Sequence, residues 1–328
     1  MGEAATQTPN LFLRSQLLDR RHRLESTRTA LPETEVVRLL AEVDKALEQM
    51  NEGRYGICQV CHEPIEEERL LCNPLAGTCL DHMTRQERQT LERDLDLAMR
   101  VQTGLLPERR VRLGEWEGAY HYEPLGAVSG DFCDLSPAQD GLFLLVGDIA
   151  GKGVSASLLM SNLHAIFRSL VSVGMPLAEL LERANRLFCE ATRPPYYATL
   201  VGGFAYEDGK VELINAGHCP PLLLQDGAAT EIQATGLPVG LFCEAKYAPR
   251  RLKLQRGDAL VLYSDGLSES RNVNQEEYGV TRIAGALQSC RDKSATGLIN
   301  SCLDDLLSFR LGAAKVDDLT LAVIRRVD

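Results

Sequence analysis

A chain of 328 residues is longer than one hydrophobic core usually fills, so more than one domain is expected. Hydrophobic residues at 45% and charged residues at 25% fit a globular protein, and a net charge of -11 excludes a general electrostatic footprint for nucleic acid. The N-terminus lacks a basic n-region and an apolar h-region, and no stretch reads as a membrane span, so a cytoplasmic location with no membrane association is expected. The ten cysteines are accordingly read as reduced. Residues 1–6 fit the N-myristoylation pattern, which is short enough to match by chance.

Residues 1–53 read as two helices. Leu11, Leu17, Leu18 and Leu24 form a loose apolar stripe on the first, and Val36, Leu40, Val43, Leu47 and Met50 a cleaner one on the second. Pro32 suits the break between them and Gly53 the stop, which suggests an antiparallel hairpin. A compact Cys-rich stretch, 54–82, follows. Residues 84–106 then predict a linker helix with a Leu91, Leu95, Ala98, Gln102, Leu105 seam, a possible coiled coil ended by Pro107. Beyond residue 115 the apolar runs 142–146, 211–214, 259–263 and 319–324 predict buried strands, and 155–171 and 177–190 predict helices, in one α/β domain of roughly 210 residues.

Carboxylates recur beside those strands. Asp148 follows 142–146 within Gly147-Asp148-Ile149-Ala150-Gly151-Lys152-Gly153, Asp265 follows 259–263, and Asp317-Asp318 precedes 319–324. Asp131 and Asp134 stand beside a glycine turn upstream. One such Asp is usually a turn or cap residue. Four on separate elements point instead to oxygen ligands for hard ions such as Mg²⁺ or Mn²⁺, a pair of which can activate water and clamp a phosphoryl group. The glycine-rich segment is no P-loop, since three residues rather than four separate its first glycines and Gly153 follows the Lys. His218 is read as structural rather than as a general acid, and Cys133, Cys189, Cys219, Cys243, Cys290 and Cys302 as small buried hydrophobes.

The ordered series SGDFCD (129–134), GDIAGKGVSASLLM (147–160), NAGHCPPLLL (215–224), GLPVGL (236–241), LYSDGLSES (262–270) and DDLTLAVIRR (317–326) resembles the SpoIIE/RsbU branch of the PPM-type serine/threonine phosphatases. The resemblance covers about residues 98 to 326 and implies a central β-sandwich flanked by helical pairs. It implies two Mn²⁺ or Mg²⁺ ions: Asp148 bridging both, the Ile149 carbonyl on one, Asp265 and Asp317 completing the coordination of the first metal, and Asp131 serving the second. Asp317 is preferred to Asp318 by motif register. The implied substrate class is a phosphorylated STAS-domain anti-sigma-factor antagonist in a partner-switching pathway. No Arg is assignable to the substrate phosphate.

Cys58-x-x-Cys61, seventeen residues, then Cys79-x-x-His82 has the spacing of one tetrahedral Zn²⁺ site, with Cys72 and His62 as alternative ligands. Residues 47–82, with Gly53-Arg54-Tyr55-Gly56 leading into the first pair, resemble the DksA/TraR-type zinc finger. Polymerase-binding members of that family use a long hairpin with acidic tip residues. The helices here are short and the tip near 29–32 has no Asp, so a structural zinc module that receives a signal or dimerises the enzyme is expected.

The expected organisation is a helical hairpin plus zinc finger over 1–83, a linker helix over 84–107 and an α/β PPM phosphatase domain over 108–328. The expected function is a regulated protein serine/threonine phosphatase, a homodimer through the linker helix, whose helix pairing or docking completes the second metal site. The alternative is a zinc-finger transcription regulator that binds RNA polymerase and carries a scaffolding phosphatase-like domain.

Overall fold

The structure is a computed structural model that describes residues 7–26, 33–66, 69–70, 73–138, 141–192 and 196–327. The 1–6 pattern, Pro32, the hairpin tip at 29–32 and Cys72 lie outside the described residues. The chain divides into two compact units, residues 1–93 and 94–328.

In the first unit, α1 (Gln7–Ser26) packs on α2 (Glu33–Asn51). Leu17 is buried with Val43 and Ala46, and Leu13 lies in a cluster that includes Met50. Arg21 donates to Asp44 across the pair at 2.7 Å. These contacts make the helices antiparallel. Leu18, expected on the apolar stripe, is 47% exposed, because it follows Leu17 by a single residue and so turns about 100° off the buried face. Helix α3 (Arg85–Leu105) starts with a capping box: Thr84 Oγ1 accepts from Glu87 N–H at 3.2 Å, and the Glu87 carboxylate accepts from Thr84 N–H at 2.9 Å.

The second unit stacks two antiparallel sheets. β1 (Arg110–Leu113), β2 (Trp116–Glu123), β7 (Leu222–Gln225), β8 (Ala228–Glu231), β10 (Ala259–Tyr263) and β11 (Leu319–Arg326) make one sheet, in the order β1-β2-β11-β10-β7-β8. β3 (Phe132–Ala138), β4 (Gly141–Ile149), β5 (Ala198–Tyr206), β6 (Lys210–Ala216) and β9 (Arg250–Lys253) make the other, in chain order. Alternation along β4 serves two cores at once. Leu142, Leu144 and Val146 fill the space between the sheets, while Phe143 and Leu145 face helices α4 (Gly153–Val171) and α5 (Leu177–Ala191). Because both faces are covered, the strand reads as a continuous apolar run. On the other side, α6 (Asp265–Ser268), α7 (Gly279–Ser289) and α8 (Ala295–Arg310) flank the six-stranded sheet, and buried residues of all three join its outer face in one cluster. The expected β-sandwich between helical pairs is what forms.

Two expectations need correction. Helix α4, at 19 residues with mean hydropathy 1.2, is long and apolar enough to cross a membrane by those measures. Its Ala156, Met160, Leu163 and Phe167 are instead packed against the five-stranded sheet. Cys189 on α5 and Cys243 are joined in a disulfide, their Cα atoms 5.8 Å apart, so the reading of all cysteines as reduced fails for this pair. Cys243 is exposed rather than buried, and nothing in the local sequence reveals a partner 54 residues away.

Candidate active site

The aspartates meet at one end of the sandwich because four strand ends converge there. β4 runs further than its apolar core, pairing through Asp148↔Thr199 and Ile149↔Ala198, so Asp148 sits inside the strand rather than in the turn after it. Asp131 directly precedes β3, whose Phe132 pairs with Gly147. Asp265 opens α6 just after β10, and Asp317 and Asp318 immediately precede β11, the antiparallel neighbour of β10.

Two glycines allow this approach. A Cβ on Gly130 would lie 3.0 Å from Asp148 Oδ1 and 3.3 Å from the Ile149 carbonyl oxygen. One on Gly266 would lie 1.7 Å from the Asp318 carbonyl oxygen, a spacing no side chain survives.

The carboxylates differ in what already holds them. Asp131 is buried, and its Oδ2 accepts from Ser264 Oγ at 2.7 Å and Thr320 Oγ1 at 2.6 Å, which ties β10 and β11 to the start of β3. Asp318 accepts backbone N–H bonds on both oxygens, from Leu125 at 2.5 Å and Gly130 at 3.2 Å. Asp317 is more open and accepts from Lys152 Nζ at 2.7 Å. Those bonds give Asp318 the job of shaping the 125–130 loop and leave Asp317 at the solvent-facing side.

Electrostatics mark the cluster. Burial, then the charges of Asp131, Asp265, Asp317 and Asp318, push Asp148 up to about 8. Burial pushes Asp131 up to about 7, helped by Asp318 and Asp265 and opposed by the two hydroxyl donors. Asp265 also rises, from burial first and Asp317 second. Carboxylates raised in this way are short of positive charge, and an oxygen-only donor set of this kind fits hard divalent cations. The acids do not close around a point: among the described residues, only a Cys/His group brings three or more candidate ligand atoms mutually within 4.8 Å.

That group is Cys58, Cys61, Cys79 and His82 in the first unit. Tight turns build it. Cys58 N–H donates to Glu63 O at 2.9 Å, His62 closes the knuckle with φ of 63°, and the 3₁₀ turn Leu80–His82 carries His82 back toward Cys79. Cys61 Sγ and Cys79 Sγ lie 3.8 Å apart, matching the edge of about 3.8 Å for a tetrahedron with roughly 2.3 Å zinc–sulfur bonds. Cys79 Sγ and His82 Nδ1 are 3.1 Å apart, a hydrogen-bond spacing somewhat tighter than that geometry. The backbone N–H of Cys61, then those of Cys79 and Val60, draw the Cys58 thiol down to about 6, toward the thiolate a metal needs. His62, the alternative ligand, is not in the group.

Other side chains take distinct places. Asp134 is buried away from solvent and paired with Arg168 of α4, with His164 Nε2 at 3.5 Å. His218 is buried and its pKa falls to about 4 through that burial. The Asn215 side chain brackets its backbone, and its Nδ1 lies 2.8 Å from Thr199 Oγ1. One residue was missed in kind. Gln102, read only as a seam position, is buried at 5% exposure, donates to Ser129 O at 2.7 Å and accepts from Ser129 N–H at 3.0 Å. A polar residue on an apolar helical seam was the available signal.

The family model described as Stage II sporulation protein E (SpoIIE) matches residues 138–327. The chain belongs to this family. Its second unit is a PPM-type serine/threonine phosphatase domain. Among curated relatives, it is 26% identical to Protein IcfG of Synechocystis sp. over 263 residues, covering 71% of this chain and 41% of IcfG. It is 25% identical to Phosphoserine phosphatase RsbU of Bacillus subtilis over 255 residues, covering 75% of this chain and 74% of RsbU. The crystal structure of the RsbU and RsbW domains of Rv1364c from Mycobacterium tuberculosis is similar at a TM-score of 0.57 and 30% identity, covering 65% of this chain and 60% of that one. The chain thus spans less than half the length of IcfG and about three quarters of RsbU.

Proposed function

We propose that this chain is a regulated, metal-dependent protein serine/threonine phosphatase whose substrate is a phosphorylated STAS-domain anti-sigma-factor antagonist in a partner-switching pathway. The observation that carries the reading is the convergence of Asp131, Asp148, Asp265 and Asp317, with Asp148 pushed up to about 8 by burial and by its acidic neighbours. In this reading Asp148 would contribute to both of two Mn²⁺ or Mg²⁺ ions, Asp265 and Asp317 would hold the first, Asp131 the second, and the Ile149 carbonyl one of the two. Such a pair supplies an activated water and a clamp for the phosphoryl oxygens. Ser264 and Thr320 keep Asp131 oriented. Gly130 and Gly266 let the backbone close up around the acids.

The zinc module over 1–83 and the linker helix over 84–107 are the regulatory part. Cys58, Cys61, Cys79 and His82 hold one structural Zn²⁺. Of the seam read for pairing with a second copy, Leu91 is exposed, Leu95, Ala98 and Leu105 are half-buried and Gln102 is buried, where it links that helix to the turn carrying Asp131. The thiols of this zinc site suit a reducing, cytoplasmic setting, whereas the Cys189–Cys243 disulfide is a bond more typical of oxidising compartments. The names of RsbU as a phosphoserine phosphatase and of the joined RsbU and RsbW domains support the substrate class.

The test is dephosphorylation of phosphorylated STAS-domain proteins with Mn²⁺ and with chelator, in the full chain and in Asp148→Ala. Metal-dependent release of phosphate that is lost in the variant is expected. Chelator-resistant hydrolysis or full activity of Asp148→Ala removes the proposal.

A further inference from the structure

Five carboxylates, Asp131, Asp148, Asp265, Asp317 and Asp318, carry more negative charge than two divalent ions neutralise. A phosphomonoester adds close to two further negative charges. A protein cation beside the metal pair would offset that excess and add a second hold on the phosphoryl group. Among the described residues, Lys152 is the basic side chain that contacts these acids: its Nζ donates to Asp317 Oδ2 at 2.7 Å and to the Val316 carbonyl at 3.5 Å.

Its setting is built. Gly151 and Gly153 on either side have φ of 124° and 75°, with open space where a Cβ would be. Conformation rather than crowding therefore requires glycine on both sides of the Lys. Lys152 is also the residue immediately before α4, so the unpaired N–H groups of a 19-residue helix open beside it. The side chains of Lys152 and Asp317 are 65% and 36% exposed, so a macromolecular phosphate can reach the pair. An ion pair so exposed is weak and readily exchanged.

We propose that Lys152 is the phosphate-binding residue of this site, held on Asp317 while that carboxylate lacks a metal and turned to the substrate's phosphoryl oxygens once the metal engages Asp317. The assignment rests on the phosphatase reading above but makes a separate claim. It gives the acidic centre a cation that, among the described residues, no Arg in contact with these acids supplies. It also makes Lys152 and the metal competitors for Asp317 in the empty site.

The test compares the full-length wild type with Lys152→Gln and Lys152→Arg. Calorimetry measures Mn²⁺ binding, and then inorganic phosphate binding to the Mn²⁺-loaded chain; KM and kcat are measured with p-nitrophenyl phosphate. Lys152→Gln is expected to weaken phosphate binding and raise KM roughly tenfold or more, as loss of a charge-assisted hydrogen bond does. Mn²⁺ affinity is expected to be equal or tighter, and Lys152→Arg to keep phosphate affinity within a few fold. Unchanged phosphate binding in Lys152→Gln overturns the assignment. So does a matching loss of Mn²⁺ affinity, which would make Lys152 a support for the acids alone, and so does a wild type that binds no phosphate. A wild type that binds phosphate through Lys152 yet hydrolyses no monoester sinks the phosphatase reading and leaves the lysine assignment standing.

Discussion

The two candidate metal centres are built in opposite ways. Cys58, Cys61, Cys79 and His82 come from two tight turns within one short segment, and backbone bonds such as Cys58 N–H to Glu63 O shape each turn locally. Asp131, Asp148, Asp265 and Asp317 come from four places along the second unit and meet only because β3, β4, β10 and β11 are packed and paired. The first site holds its ligand atoms mutually within 4.8 Å, whereas the second holds repelling carboxylates raised by burial and by one another. An ion bound at the first would fix the fold of a short segment, whereas at the second the fold already gathers the charge that bound ions would relieve.

The largest effect that tests this contrast is zinc removal. Structural zinc contributes on the order of 10–16 kcal/mol in finger peptides, so chelation or Cys58→Ser is expected to unfold the first unit. Hydrogen exchange should show protection lost over residues 53–82 and kept in β4 and β10. Unchanged protection in the first unit would break the comparison.

Asp148→Asn comes next. It removes a carboxylate central to the acidic cluster and is expected to lower phosphatase activity by more than about a hundredfold, beyond the loss typical of an outer-shell change. Metal-free stability should move the other way. With the folded pKa raised from 3.8 to about 8, the stability tied to this group is complete below pH 3.8 and is lost as pH rises through about 8. Urea melts of metal-free wild type should therefore weaken between pH 5 and pH 8.5, and those of Asp148→Asn should weaken less. Equal losses in both would mean that Asp148 carries no strain.

Within the second unit, the Cys189–Cys243 disulfide closes a 54-residue loop. Cys243→Ser, or reductant on the wild type, is expected to cost about 2–4 kcal/mol in a denaturant melt, with Asn185 still donating to Phe242 O and Cys243 O. A melt insensitive to reductant would leave the loop to Asn185 alone. The smallest effect is Gln102→Ala, at about 1–3 kcal/mol for the Ser129 groups left without partners. It should weaken the second of two Mn²⁺ binding steps more than the first; equal weakening would disconnect α3 from Asp131.

Legibility followed the same division. The 259–263 strand coincides with β10 because an apolar run between turn residues has one reading, and the linker helix ends where Pro107 forces it to. β4 outran its expected 142–146 limits because Asp148 and Ile149 continue the ladder with β5, a pairing no local pattern contains. Motif register alone prefers Asp317 to Asp318; what the register does not contain is that Asp318 accepts the N–H groups of Leu125 and Gly130 on its two oxygens. Cys189 and Cys243 looked like two small hydrophobes, since their proximity depends on how α5 meets the loop after Gly240.

The residues by themselves determined which chemistry is available: paired soft ligands at zinc spacing, and glycine-flanked acids at strand ends in a fixed order. Those follow from side-chain chemistry and from turns of a few residues. Tertiary structure alone decided that the acids share one buried end, that Gln102 grips Ser129, and that Lys152 faces Asp317 rather than solvent alone. Such contacts join positions far apart in the chain, and only the closing of the two sheets and their helices brings them within reach.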